Sequence, residues 1–389
     1  MSEYPPDWEV ANLGTYLKET KERVSEGNTT PYSVSKVLGI VPQSEKFKKR
    51  VASNDISNYK IIRKGDFAYD PMLLWDGSIN RMLREDTGAV SPAYVTFRVL
   101  DNSLDADYLL HFLKADTAKN FYKSISKGTN VRRQKAEFRD FASGEFAFPP
   151  LPEQKKIAEI LSGIDQTITK LDSQKTKYDR LFASMLSEVF ADLHKSHEIR
   201  RIGEICEVKR GASPRPIQSK KWWGDGRGWT RISDVTKSKK YLYKTKDRLS
   251  PEGEQRSVPI NPGSIILSIC ATIGLPVIPK IPVCIHDGFV WFEGIEKEIL
   301  PEFAYYFFLS VRDGLVSGRQ TGTQGNLNTS IVSQQLIPIP PQSEQKRIIK
   351  LMSDMEFQAE KIDRKIQSHK NLKSSLSSDL LSGRKRVSI

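Results

Sequence analysis

Phe148-Pro149-Pro150-Leu151-Pro152-Glu153-Gln154-Lys155-Lys156-Ile157 returns, with substitutions, as Ile339-Pro340-Pro341-Gln342-Ser343-Glu344-Gln345-Lys346-Arg347-Ile348. The two glutamates stand 191 residues apart in a chain of 389. A long helical pattern follows each copy. The chain therefore reads as two tandem halves, each a globular part followed by a long helix. Such a duplication has approximate internal two-fold symmetry and suits the chain to reading something that also has two parts.

After the first signature, apolar residues fall at Ile157, Leu161, Ile164, Ile168, Leu171, Tyr178, Phe182, Met185 and Val189, with Lys175 as a charged interruption. The second helix repeats the register with Ile348, Met352, Met355, Ala359, Ile362, Ile366, His369, Leu376 and Leu380, and its interruption is Lys373. Steps of four and three alternate, which is the 3.5-residue period of a coiled-coil seam, sustained over about five heptads. A seam of this kind needs a dry partner, and each is the obvious partner of the other. Roughly 38 residues of continuous helix at 1.5 Å each span about 57 Å. Pro152 fits the opening of its helix, where a missing N–H costs nothing. Ser343 is expected to cap the other helix, with Glu344 near the positive end of the dipole.

The repeat reaches beyond the signature. Trp8-Glu9-Val10-Ala11-Asn12-Leu13-Gly14 matches His197-Glu198-Ile199-Arg200-Arg201-Ile202-Gly203, and Lys64-Gly65-Asp66-Phe67 matches Pro262-Gly263-Ser264-Ile265. Gly128-Thr129 and Gly322-Thr323 precede the two Pro-Pro pairs. Between these anchors the halves diverge, as two readers of different targets would. Segments 93–99 and 288–293 alternate like strands, and 263–269 reads as a buried strand. Segments 107–113 and 302–309 read as short amphipathic helices. The fold class is α+β: two tandem parts of mixed helix and strand, separated by two long helices in an antiparallel coiled coil, with pseudo-two-fold symmetry. The expected divisions are 1–151, a central helix 152–192, 193–342, a C-terminal helix 343–382 and a basic tail 383–389.

With 38% hydrophobic residues the chain has the make-up of a globular protein. No run of 18 apolar residues suggests a membrane helix, and the first residues lack the pattern of a signal peptide. Three cysteines, Cys206, Cys270 and Cys284, have no metal-like spacing, and an odd number fits a reducing cytoplasm. A net charge of +13 points to a polyanionic partner. The excess is local, concentrated in residues 191–342 and in Arg384, Lys385 and Arg386.

The arrangement as a whole resembles a specificity subunit of a type I DNA restriction–modification system, and the resemblance covers nearly the whole chain. Pro-Leu-Pro-Glu-Gln-Lys at 150–155 is close to the family's usual wording; the second copy has Gln342-Ser343 where Leu-Pro would stand. The resemblance implies two target recognition domains, each reading one half of a split site on double-stranded DNA. It implies as partners two adenine-N6 methyltransferase subunits and, in the full complex, two nuclease–translocase subunits. S-adenosylmethionine, ATP and Mg2+ would be used by those partners, with no cofactor or metal bound by this chain. Helices of this length can hold two readers the ~34 Å apart that half-sites one turn distant require.

Base edges and phosphates call for Arg, Lys, Asn and Gln in loops. The candidates are Lys46, Lys48, Lys49 and Arg50 in a basic run; Lys127, Thr129, Asn130, Arg132 and Arg133 before the first signature; and Arg319, Gln320, Thr323, Gln324 and Asn326 at the matching place in the second half. Lys220, Lys221, Trp223 and Arg227 lie in a stretch mixing cations, tryptophans and glycines, where 224–228 is expected to turn. Lys237, Lys239, Lys240, Lys244 and Lys246 are read as phosphate-holding cations.

Catalytic signatures are lacking. No phosphate loop with its lysine and no His-Glu-x-x-His occurs. Phe148-Pro149-Pro150-Leu151 lacks the amide or carboxylate that precedes the prolines of an adenine methyltransferase. His286-Asp287 reads as a strand-edge turn. The chain is expected to be non-catalytic by itself. The competing reading is a coiled-coil scaffold that bridges proteins, without sequence-specific DNA binding.

Overall fold

The computed structural model describes residues 4–24, 29–47, 55–84, 87–100, 102–126, 135–317 and 327–388. The chain forms two compact units: Met1–Asp172 with Arg364–Ile389, and Ser173–Asp363. Each contains one globular part and a stretch of both long helices.

In the first unit, strands Leu17–Thr20, Val95–Val99, Phe67–Tyr69 and Ile79–Arg81 lie side by side in that order, all antiparallel. A second sheet runs Gly39–Pro42, Thr30–Ser35, Gly88–Val90, Lys60–Ile62, with a parallel pair at its centre. Glu9–Asn12 pairs with Glu145–Phe148, bringing the first residues to the foot of the signature. Phe67, Phe97, Tyr122 and Phe141 fill the core, which also takes Ile157, Leu161 and Leu380 from the long helices.

The second unit repeats this frame. Glu207–Arg210, Phe289–Glu293, Ile266–Ser268 and Pro276–Pro279 follow in order, with Tyr241–Leu242 added at the edge. The second sheet runs Asp247–Leu249, Trp223–Thr230, Val283–Ile285, Val258–Ile260, again with a parallel central pair. Ile199–Arg201 pairs with Leu336–Pro338. The duplicated glycines have a backbone reason. Gly65 and Gly263 adopt φ of +91° and +88°, a left-handed turn that glycine enters without a Cβ clash, immediately before matching strands. A Cβ on Gly14 would sit 3.2 Å from the Ala142 carbonyl, and one on Gly203 3.1 Å from Ser333 Cβ. Both glycines let a short helix approach the start of its unit.

The central helix spans Leu151–Ser196 and the C-terminal helix Gln342–Leu380. The first runs past the expected residue 192 because Phe190 and Leu193 are buried in the second unit's core, which holds the last turn in place. The second stops short of 382: Gly383, at φ +74°, returns its N–H to the Leu380 carbonyl and ends the helix. Ser343 is not the cap, since the helix begins one residue earlier and the Gln342 amide donates to the Lys297 carbonyl.

Within each unit the two helices run antiparallel. In the first, Lys373 grips both Asp165 oxygens; in the second, Lys175 lies 3.9 Å from Asp363. The first core also joins Leu380 to Ile157 and Leu161, and the second joins Ile348 and Met352 to Leu186 and Phe190, so within each unit one number rises as the other falls. Ile157, Leu161, Ile348, Met352, Met355, Ile362, Ile366 and Leu380 are buried. Ile164, Ile168, Leu171, Tyr178, Phe182, Met185 and Leu376 are half-buried. Lys373 is thus explained by a carboxylate on the facing helix, whereas Lys175 is held mainly by Asp179 on its own helix at 2.6 Å, with Asp363 across the seam.

Segment 224–228 does not turn. It lies in strand Trp223–Thr230, whose register shifts between Trp223 and Gly228. A Cβ on Gly226 would fall 2.1 Å from Glu254 Oε1 and 2.6 Å from the Leu249 carbonyl, so glycine there permits close approach to the neighbouring strand.

Candidate nucleic-acid interface

The signature holds each globular part against its helix. Gln154 is almost fully buried; its Oε1 accepts from the Asp105 N–H at 2.8 Å and its Nε2 donates to the Pro149 carbonyl at 2.9 Å. Gln345 does the same with the Leu300 N–H at 2.9 Å and the Pro340 carbonyl at 2.9 Å; each amide also donates to a third group, Gln154 to the Ser103 carbonyl at 3.4 Å and Gln345 to the Glu298 carbonyl at 2.8 Å. Asp105 and Leu300 are the N-caps of helices Ala106–Leu113 and Pro301–Ser310. One side chain therefore ties the start of a helix in the globular part to the start of a long helix. The glutamate beside it has a different partner in each half. Buried Glu153 is held by the Arg386 guanidinium, which also takes Asp7; Glu344 faces His197 at 3.1 Å.

A second matched pair lies one to three turns further along. In the first unit His111 meets Ser162 at 3.0 Å, with Asp165 at 4.0 Å and Lys373 beyond it. In the second, Tyr306 meets Ser353 at 3.1 Å and donates to Glu356 at 2.7 Å, while Lys240 donates to all three. Ser162/Ser353 and Asp165/Glu356 both repeat at the signature's interval of 191 residues. That interval is the sequence signal for them, and being polar they stand outside the apolar seam. Burial, then the Lys373 charge, pushes the His111 pKa down to about 4. Burial chiefly raises the Tyr306 phenol well above its ordinary value.

Several expected DNA-contacting residues lie outside the described residues: Lys48, Lys49, Arg50, Lys127, Thr129, Asn130, Arg132, Arg133, Arg319, Gln320, Thr323, Gln324 and Asn326. Lys46 donates to the Val34 carbonyl at 3.0 Å. Lys240 is buried in the cluster just described and is no phosphate holder; Lys239 pairs with Glu360. The basic tail is not free either, since Arg384 and Lys385 lie against Asp379 and Arg386 against Glu153.

The described candidates that come together lie about strand Trp223–Thr230. Lys220 is exposed on the turn leading into it. Lys221 sits 4.2 Å over the Trp222 ring and 3.1 Å from Glu252. Trp222 is core, donating to the Pro216 carbonyl; Trp223 is half-buried, with the Arg231 guanidinium 5.7 Å from its ring. Arg227 is half-buried, 3.7 Å from Glu254 and bonded to the Ile260 carbonyl. The exposed Lys221–Glu252 pair is of a kind worth about 0–1 kcal/mol. His286 accepts from the Gly288 N–H through Nδ1 and Asp287 from Ser213, which makes this pair a turn. Cys206 and Cys284 are buried, which pushes both thiols up to about 12.

Residues 9–177 and 195–372 each match the profile of the family described as type I restriction modification DNA specificity domain. The chain belongs to this family. The two matches fall on the two halves set out above. A type I restriction enzyme MjaVIII specificity subunit from Methanocaldococcus jannaschii is 31% identical over 212 residues, about half of each chain (52% of this one, 47% of that one). A putative MjaX specificity subunit from the same organism is 24% identical over 100% of this chain and 96% of its own. A solved structure described as showing complex assembly and conformational transition of the type I R-M system has the same fold, with a TM-score of 0.67 at 18% identity over 98% of this chain and 99% of that one. Specificity domains of this kind thus occur here in tandem. Among the described residues no helix is long and apolar enough to cross a membrane, and no group of three His, Cys, Asp or Glu could hold a metal.

Proposed function

We propose that this specificity subunit reads a bipartite site on double-stranded DNA, each unit reading one half. The long helices set the spacer and dock two adenine-N6 methyltransferase subunits; two nuclease–translocase subunits complete the assembly. The chain itself is non-catalytic and cytoplasmic, and S-adenosylmethionine, ATP and Mg2+ act in its partners. One observation carries this reading: the frame is duplicated down to single hydrogen bonds at Gln154 and Gln345, while the segments it presents differ. Natural selection on a scaffold alone has no need of two unlike inserts in one repeated frame. Phosphate contacts position such a protein and base contacts specify it, and the glycine-containing stretches of sequence from Lys127 and from Arg319 offer side chains of both kinds.

Binding of the chain with its methyltransferase partner to random duplexes, followed by sequencing of what is retained, tests the reading. The expected product is two short motifs separated by a fixed unread gap. A single uninterrupted motif, or no enrichment, overturns it.

A further inference from the structure

The first unit carries a basic cleft that DNA reading by a repeated frame does not account for. It lies between the start of helix Asp116–Ile125 and the last turns of the C-terminal helix, and holds about 400 Å3. Lys114, Lys119, Lys370, Lys373 and Arg384 line it, against one lining carboxylate, Asp116. Four serines and Thr117 add hydroxyl donors. Three of the cations are already matched: Lys119 by Asp116 at 3.3 Å, Lys373 by Asp165, and Arg384 by Asp379 at 3.3 Å. Among the described residues, Lys114 and Lys370 have no carboxylate within ion-pair distance. Lys114 is half-buried; burial first, then the nearby Lys373, lowers its pKa, with Asp165 acting the other way.

We propose that this cleft is a binding site for a phosphate group. Ammonium and hydroxyl donors that converge on a concavity suit the several acceptor oxygens of a phosphoryl group, and the volume is within the range of small-ligand sites. At the signature's interval of 191 residues Lys370 and Lys373 correspond to Asp179 and Phe182, so these two cations of the site are not repeated. Its phosphate comes either from a DNA backbone passing the cleft or from a free phosphorylated compound.

Calorimetric titration of the full chain with sodium pyrophosphate at low salt is the test, run beside Lys370→Glu, an exposed helix position, and Lys114→Met. Saturable binding by the wild type, weakened at least about tenfold in both variants, is the expected result. No saturable heat, or Lys370→Glu binding as well as wild type while melting at the same temperature, overturns the site; so does capture of an acidic peptide where pyrophosphate fails. Duplex DNA of random sequence separates the two sources. A salt slope lower by about one in Lys370→Glu assigns the phosphate to the DNA backbone, and an unchanged slope beside lost pyrophosphate binding assigns it to a free compound. Because Lys370→Glu is expected to select the same split motif as wild type, failure of this site and failure of the DNA-reading proposal are told apart.

Discussion

Gln345 shows how one side chain serves as a joint. Its amide is fully buried and satisfies one N–H and two carbonyls, each of which is left without a partner if the amide is removed. Stranding buried backbone groups costs about 1–3 kcal/mol apiece, less where water enters. Gln345→Ala is expected to destabilise the second unit by about 3 kcal/mol in urea titration. Gln345→Glu, which sets an acceptor against two carbonyls, should cost more. His111 makes a different prediction. The folded state keeps its imidazole neutral down to about 4, whereas the unfolded chain takes up a proton near 6.5. The unfolded state therefore binds more protons between these values, and folding stability falls as pH drops through that window. The lost stability reaches about 3 kcal/mol at about 1.4 kcal/mol per pH unit. The difference in stability between wild type and His111→Gln, followed from pH 7 to pH 4, should shrink or reverse; a constant difference would show that burial does not depress this histidine.

At the scale of the element, the long helices are built from matched positions. Leu161 and Met352 occupy the same place in the two copies, and both are fully buried where a helix enters the core of its unit. Truncating such a residue removes its transfer energy and leaves a cavity, typically 2–5 kcal/mol. Leu161→Ala and Met352→Ala are expected to cost about 3 kcal/mol each, read as a lowered denaturation midpoint for the unit concerned. Leu181→Ala, at a site 50% exposed, should change stability by less than about 1 kcal/mol. The helices and their seam were legible in the sequence because a 3.5-residue period survives over about five heptads. Helix Ala106–Leu113 was legible for the same reason, whereas Pro301–Ser310, expected to be amphipathic, buries Phe303 to Phe308 without a break and so shows no polar face there. Strand Trp223–Thr230 was not, because three glycines in eight residues carry turn chemistry locally, and only the neighbouring strand's demand for close approach makes them a strand. The ion pairs of Arg386 with Asp7 and Glu153 were equally hidden: they join residues hundreds of positions apart, and no local pattern announces them.

At the scale of the whole molecule, the repeat makes the two long helices a common support, since each is one unbroken helix with residues in both units. If they set the spacing between two half-site readers, their length is a tunable quantity. Inserting four residues into each helix at matched positions, with the antiparallel seam kept in register, adds about 6 Å at 1.5 Å per residue. Duplex DNA rises about 3.4 Å per base pair, so the favoured gap should lengthen by one or two base pairs with both half-site motifs unchanged. The register condition matters: the seam repeats every 3.5 residues, and a four-residue insertion in one helix alone would turn Lys373 away from Asp165 and expose apolar side chains. That single-helix variant is expected to lose stability without gaining a new spacing. Mapping N6-methyladenine in cells that carry the doubly extended chain with its methyltransferase reads the gap directly. A longer gap between intact half-motifs supports the helices as the ruler; an unchanged gap assigns the spacing to the recognition units themselves.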